Sequence, residues 1–262
     1  LDDNYQTYVN RVLRLPLPET YKSQLQNIQE SPKFQLQEVG GERQAVAFPG
    51  YTIVTPPGGE ETENQAFYAN LQALQAQLQQ QLDPNLFVPL PPDSFHLTVA
   101  DLIWDHAYRD AAKNPEFEQQ LCDRMAQSFQ QYQRMHPQSH PVRLQAVGLI
   151  VMPRAIGVGL VPKEEVAYEQ LLQLRRAIYQ NPGLMALGIE QQYHFTAHVT
   201  LGYFGSIPPE LDRDRLSEQF TQLNQQWITG VPQEMWAYRA ELRKFDNMTR
   251  YYREPDWPSL EI

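Results

Sequence analysis

Two short segments concentrate residue types that can do acid–base chemistry. Residues 92–102 read PDSFHLTVADL and residues 195–204 read FTAHVTLGYF. Each holds a His-x-Thr triplet, His96-Leu97-Thr98 and His198-Val199-Thr200, flanked by apolar residues. Side chains alternate faces along a strand, so His and Thr of each triplet share one face while Leu97 or Val199 points to the other. Imidazole titrates near neutrality, so one ring can be neutral while another carries a proton. Such a pair can remove a proton from an attacking hydroxyl or water and deliver one to a leaving oxygen. The threonine hydroxyls on the same face can donate to oxygens on which negative charge develops. That combination suits in-line attack on phosphorus and requires no metal. A half-exposed sheet bearing polar residues in water would account for one such strand; two, each closing a similar unit, favour chemistry.

Stepping out from the triplets, the sequence predicts strand–helix–strand twice. Gly50–Thr55 reads as a strand ended by Pro56-Pro57-Gly58-Gly59. A helix over 65–82 presents Phe67, Leu71, Leu74, Leu78 and Leu82 on one face, and the first triplet strand follows over 95–102. Further on, strands over 142–151 and 155–161, a helix over 164–179 and the second triplet strand over 195–204 repeat the order. Helices are expected over 115–135 and 211–227, and a strand over 236–244 with a return over 248–252. The pattern predicts an α+β protein with two lobes of antiparallel sheet, helices outside and a central cleft. Residues 1–48, with a short amphipathic helix stopped at Leu15-Pro16-Leu17-Pro18, read as an N-terminal extension before a two-lobed domain over 49–262.

The two triplets in matching strands, roughly a hundred residues apart, resemble the two-histidine (2H) phosphoesterase superfamily, which includes 2′-5′ RNA ligase-like proteins and cyclic nucleotide phosphodiesterases. The resemblance covers about residues 50–250. It implies a pseudo-symmetric bilobal fold, His96 and His198 as catalytic residues, Thr98 and Thr200 as phosphate ligands, and a 2′,3′-cyclic or 2′-5′ phosphodiester of a nucleotide or short oligonucleotide as substrate. Many relatives continue the second motif as His-x-Thr-Leu-x-Arg, whereas this chain has Tyr203 there. In a regular strand Tyr203 falls on the face opposite Thr200 and packs in the core; a bulge would turn it to the cleft, where it could stack on a base.

Other residues are weaker candidates. His194 shares a strand face with His198 by parity; its H-x-x-x-H spacing would suit zinc only on a helix, and no metal or cofactor is expected. Arg154 and Arg243, with Arg239 and Lys244, are the cations nearest predicted sheet elements. His106, His136 and His140 read as surface residues. Gly157-x-Gly159 lacks the strand-to-helix setting of a dinucleotide fingerprint and reads instead as a place of close backbone or ligand approach. Cys122 in a helical run reads as a small apolar residue.

Composition sets the outer limits. The 262-residue chain carries a net charge of −10 and a pI near 5.1, so it repels long nucleic acid. One cysteine forms no internal disulfide. No apolar run approaches the ~20 residues that span a bilayer, and the first residues lack a signal-peptide pattern; a cytoplasmic protein without a membrane partner is the expectation. Two rivals to the enzyme reading stand at this level: a non-catalytic nucleotide or RNA-end binding module using the same cleft, and an interaction scaffold docking through the extension.

Overall fold

The computed structural model describes residues 2–37, 41, 43–138, 140–230 and 233–262. In chain order the elements are α1 (Tyr5–Leu13), α2 (Pro18–Leu25), β1 (Phe34–Leu36), β2 (Arg43–Ala45), β3 (Gly50–Val54), α3 (Gln65–Gln81), β4 (Phe87–Pro89), β5 (Thr98–Trp104), α4 (Asp105–Ala111) and α5 (Phe117–Met135). There follow β6 (Val142–Val151), β7 (Ala155–Pro162), α6 (Glu165–Tyr179), α7 (Pro182–Met185), β8 (His198–Phe204), α8 (Arg213–Ile228), β9 (Glu234–Ala237), β10 (Arg239–Asn247), β11 (Arg250–Tyr252) and β12 (Ser259–Glu261).

Two five-stranded antiparallel sheets form the lobes. The first runs β11-β10-β3-β5, with β12 also on β10; the second runs β4-β8-β7-β6-β9. A two-stranded β1–β2 ladder stands apart. This is the α+β, bilobal, antiparallel-sheet architecture expected from the strand–helix–strand repeat. Each lobe is built of alternating strands whose inward residues are apolar: Ile53, Leu97 and Val99 in the first, Val158, Val199 and Leu201 in the second, all fully buried. The predicted strand over 236–244 is two strands. β9 ends the second sheet and β10 crosses the first, so the chain passes between lobes at Tyr238.

The triplet strands begin later than alternation suggests, at Thr98 and His198 instead of 95 and 195. The residues before them are extended but unpaired in either sheet, except at one point: Leu97 and Val199 form an isolated antiparallel bridge. That bridge joins the two lobes at the middle residue of each triplet.

The first residues are built into the body. Pro18, which stops α1 in the sequence reading, stands at the first turn of α2, where a missing N–H costs nothing. Tyr8, Val12, Tyr21 and Leu25 are fully buried. Tyr21 donates its hydroxyl to Leu149 O on β6 at 2.7 Å, and Gln29 and Ser31 donate their amides to Pro153 O and Phe204 O. Of the span 1–48, residues 1, 38–40 and 42 lie outside the described residues, as does Ser139 in the loop expected after α5. No helix among the described residues is long and apolar enough to cross a membrane.

Candidate active site

The Leu97–Val199 bridge sets the geometry of the site. In an antiparallel register one step to either side, His96 stands opposite Thr200 and Thr98 opposite His198. The two histidines therefore occupy one diagonal of a four-residue square and the two threonines the other. Diagonal neighbours across antiparallel strands lie roughly 7–8 Å apart, which leaves room for a phosphoryl group between the rings. Leu97 and Val199 point away into the core, both with no exposure.

Each imidazole is held in the same way. His96 Nδ1 lies 2.7 Å from Ser94 O and His198 Nδ1 lies 2.7 Å from Thr196 O. A carbonyl only accepts, so Nδ1 carries the proton and Nε2 of each ring is left for the cleft. The sequence carries this symmetry as Ser94-x-His96-x-Thr98 and Thr196-x-His198-x-Thr200. The Tyr251 ring packs on His96 with centroids 4.2 Å apart. Burial, then the charges of His198 and Arg243, hold the His96 imidazole down to about 4, so this ring is neutral at neutral pH.

Beyond the triplets, both strands bulge. Along β5 the pairing with β3 skips Leu102 and Val99, so the exposed positions are Thr98, Asp101 and Trp104 at a spacing of three. Along β8 the pairing with β7 skips Leu201, so Thr200 and Tyr203 come to the same face. An extra residue reverses the side-chain parity beyond it. This is why Tyr203 and Asp101 both line the cleft although strict alternation puts each on the face opposite the His and Thr of its triplet. Gly157 faces the β8 bulge; a Cβ there would come within 2.7 Å of Val199 O, so the close backbone approach expected of the Gly157-x-Gly159 run is met here.

The bulges are fixed by helices exchanged between the lobes. Gln75 of α3, the helix that follows β3 of the first lobe, donates 2.7 Å bonds to Leu90 O and to Leu201 O at the β8 bulge. Arg175 of α6, the helix that follows β7 of the second lobe, donates to Val99 O at the β5 bulge at 2.5 Å. Tyr179, one turn on, donates to Asp101 O. Each lobe's helix thus donates to a carbonyl at the irregularity in the other lobe's motif strand, where Leu201 O also accepts from Leu90 N at 2.9 Å.

The N-terminal residues brace the second triplet. The Tyr8 hydroxyl donates to Leu160 O at 2.9 Å and accepts from Ala197 N at 3.1 Å. Arg11 donates to Phe195 O and to Thr196 Oγ1. On the first triplet, Thr55 does the equivalent work: its amide donates to Leu97 O and its hydroxyl accepts from Leu97 N.

The four triplet residues line a cleft of about 480 Å³, within the range of small-molecule sites. Its walls add Phe48, Trp104, Tyr203, Phe245 and Tyr251, together with Asp101, Lys33 and Arg154. A recess of about 230 Å³ shares Thr98, Asp101 and His198 and continues to Arg175, Tyr179 and His194. Enclosure raises the Asp101 carboxyl above its ordinary range, opposed by the charges of His198, Arg175 and Lys33.

Of the candidates read from sequence, His96, Thr98, His198, Thr200, Tyr203 and Arg154 come together on this cleft. His194 does not share a strand face with His198, because β8 starts only at His198; it is half-exposed, 3.7 Å from Asp3, in the recess. Arg243 is 1% exposed and bound to Glu60, Glu241 and Tyr251 O, so it props the Tyr251 segment behind His96 and offers nothing to the cleft. Arg239 pairs with Glu261 and Lys244 with Glu118, away from the cleft. His106 and His140 are exposed, while His136 is half-buried against Tyr132. Among the described residues no three potential metal-ligating side chains converge. The sequence reading missed Lys33, Asp101 and the aromatic wall. Parity pointed Asp101 the wrong way, to the face opposite His96, and nothing local marked Lys33.

Comparison with known proteins follows the geometry. Residues 40–151 match the 2H-phosphodiest family model, described as a domain of unknown function (DUF1868), a span that holds the first triplet and stops before the second. No curated protein sequence matches significantly. A conserved protein of unknown function from Agrobacterium tumefaciens has the same fold, with a TM-score of 0.54 at 13% identity over 86% of this chain and 90% of that one. LigT of E. coli, solved with 3′-AMP, matches with a TM-score of 0.44 at 15% identity over 80% of this chain and 97% of its own. TT0787 of Thermus thermophilus matches at 0.43 and 16% identity over 79% and 91%. Residues 40–151 are thus similar to the 2H-phosphodiest family, and the second His-x-Thr strand, outside that match, repeats the geometry of the first.

Proposed function

We propose that the protein is a metal-independent phosphoesterase that cleaves a 2′,3′-cyclic or 2′-5′ phosphodiester of a nucleotide or short oligonucleotide. The observation that carries this reading is the pair of identical tethers, Ser94 O to His96 and Thr196 O to His198, which leave both Nε2 atoms for one cleft. His96, neutral through burial, has the lone pair to take a proton from the attacking water. His198, across the diagonal, supplies the proton to the leaving oxygen. Thr98 and Thr200 donate to the nonbridging oxygens, and their bonds strengthen as charge grows on those oxygens in the transition state. The aromatic wall of Trp104, Tyr203 and Tyr251 suits a nucleobase.

The test is turnover of a panel of 2′,3′-cyclic nucleotides and 2′-5′ dinucleotides in EDTA. The reading expects turnover that persists in EDTA and is lost in both His96→Ala and His198→Ala. Folded wild-type protein that binds these compounds and never cleaves them would replace it with the binding-module reading.

A further inference from the structure

Lys33 reaches the cleft from the N-terminal part of the chain, and its surroundings are unusual for a structural lysine. Its Nζ lies 4.6 Å from the Phe48 ring centroid and 5.2 Å from that of Tyr203. Aromatic faces attract an ammonium but accept no conventional hydrogen bond. No protein oxygen accepts from Nζ among the described residues, so its three N–H groups are uncommitted. Burial, with the neighbouring charge of Arg154, lowers the ammonium to about 8, while Asp101 opposes that shift; it still carries a proton at neutral pH.

Arg154 stands at the same end of the cleft. One residue holds both cations there: Phe204 donates its amide to Arg154 O at 2.9 Å, and its carbonyl accepts from Ser31 N, two residues before Lys33, at 2.9 Å. Gln29 closes the link, its side chain accepting from Arg154 Nη2 at 3.0 Å and its amide donating to Pro153 O at 2.7 Å. This end lies three to four residues along β8 from Thr200, at most roughly 10–13 Å at ~3.3 Å per residue. The backbone that carries the two cations is thus displaced along β8 from the histidine square, and Lys33 Nζ lies over the ring of Tyr203, the cleft residue three positions on from Thr200. In a chain of net charge −10, two adjacent cations facing one cleft mark a place for a compact anion.

We propose that Lys33 and Arg154 form a second anion subsite, which takes a phosphate at the other end of the nucleotide from the one held by the histidine–threonine square. This rests on the phosphoesterase reading for which phosphate is cleaved, and it narrows the substrate class to nucleotides or oligonucleotide ends that are phosphorylated at both the 2′/3′ and the 5′ position.

The experiment is calorimetric binding of 3′-AMP and adenosine 3′,5′-bisphosphate to the full chain at one ionic strength. Wild type is expected to bind the bisphosphate at least about tenfold more tightly, the scale of one added charge-assisted contact. Lys33→Met keeps the apolar stem on Phe48 and Tyr203 and removes the charge; the affinity ratio should fall towards one. Lys33→Arg should retain it. Equal affinities in wild type, a ratio that survives in Lys33→Met, or a ratio lost equally in Lys33→Arg would each overturn the subsite. A preserved ratio without turnover of any cyclic nucleotide would instead remove the phosphoesterase reading and leave the subsite standing.

Discussion

Leu97 and Val199 pair across the lobes as the one bridge between the two sheets that falls inside both His-x-Thr triplets. Neither has a polar atom in its side chain, and both are fully buried. Yet their pairing decides that His96 faces Thr200, that His198 faces Thr98, and that the two imidazoles sit on a diagonal. The geometry of the site is thus a property of the backbone register between lobes, held by the apolar side of the same residues.

Loosening this contact should be costly. Leu97→Ala removes a fully buried side chain at the lobe junction, and a loss of ~2–5 kcal/mol in unfolding free energy is expected. Urea denaturation measures it. A loss below 1 kcal/mol would mean that the lobes are held together elsewhere.

The two histidines should behave alike on truncation. Each alanine variant is expected to lower kcat by ~10²–10⁴-fold, the range for one general acid or base. Thr98→Val and Thr200→Val remove one hydrogen bond to a charged oxygen each, and roughly ten- to hundredfold losses are expected. Steady-state kinetics on a 2′,3′-cyclic nucleotide checks all four. Unequal threonine losses would show that the square is not used symmetrically.

The pH profile identifies the base. His96 is depressed to about 4, and a base acts only when unprotonated. If His96 is the base, kcat/KM should fall on acidification only as pH drops towards about 4, not near 6.5. An acid limb near 6.5 that disappears in His96→Ala would contradict this. The same depression links to stability. The unfolded imidazole takes up a proton below about 6.5 and the folded one does not until about 4. His96 therefore favours the folded state above 6.5, and this contribution declines as pH falls from 6.5 to 4.

The bulges should be separable from the triplets. Gln75→Leu is close to isosteric and lies outside the histidine–threonine square, but it removes the side-chain donor to Leu90 O and one of the two donors to Leu201 O, which keeps Leu90 N. Leaving a buried carbonyl unpaired costs ~1–3 kcal/mol. Relaxation of the β8 bulge would also return Tyr203 towards the core. The expected result is a stability loss in that range together with a raised KM. An unchanged KM in a destabilised variant would show that the bulge is held by the backbone alone.

Much of this protein could be read along the chain. The two triplets, the strand–helix–strand order and the apolar partners Leu97 and Val199 follow from residue types and the two-residue period of a strand, which are local properties. The antiparallel bilobal fold followed from their repetition. Three things were decided only in the folded structure. Bulges at Val99, Leu102 and Leu201 change parity, so Asp101 and Tyr203 reach the cleft; a bulge depends on which partner strand skips a residue, and that partner is distant in sequence. The fate of Arg243 was set by Glu60 and Glu241, which close on it only when β3 and β10 pair and bury it as a structural ion. Lys33 became a cleft residue because Ser31 is tethered to Phe204, a contact across most of the chain. Local periodicity fixes which face a side chain presents, and long-range pairing fixes what that face meets.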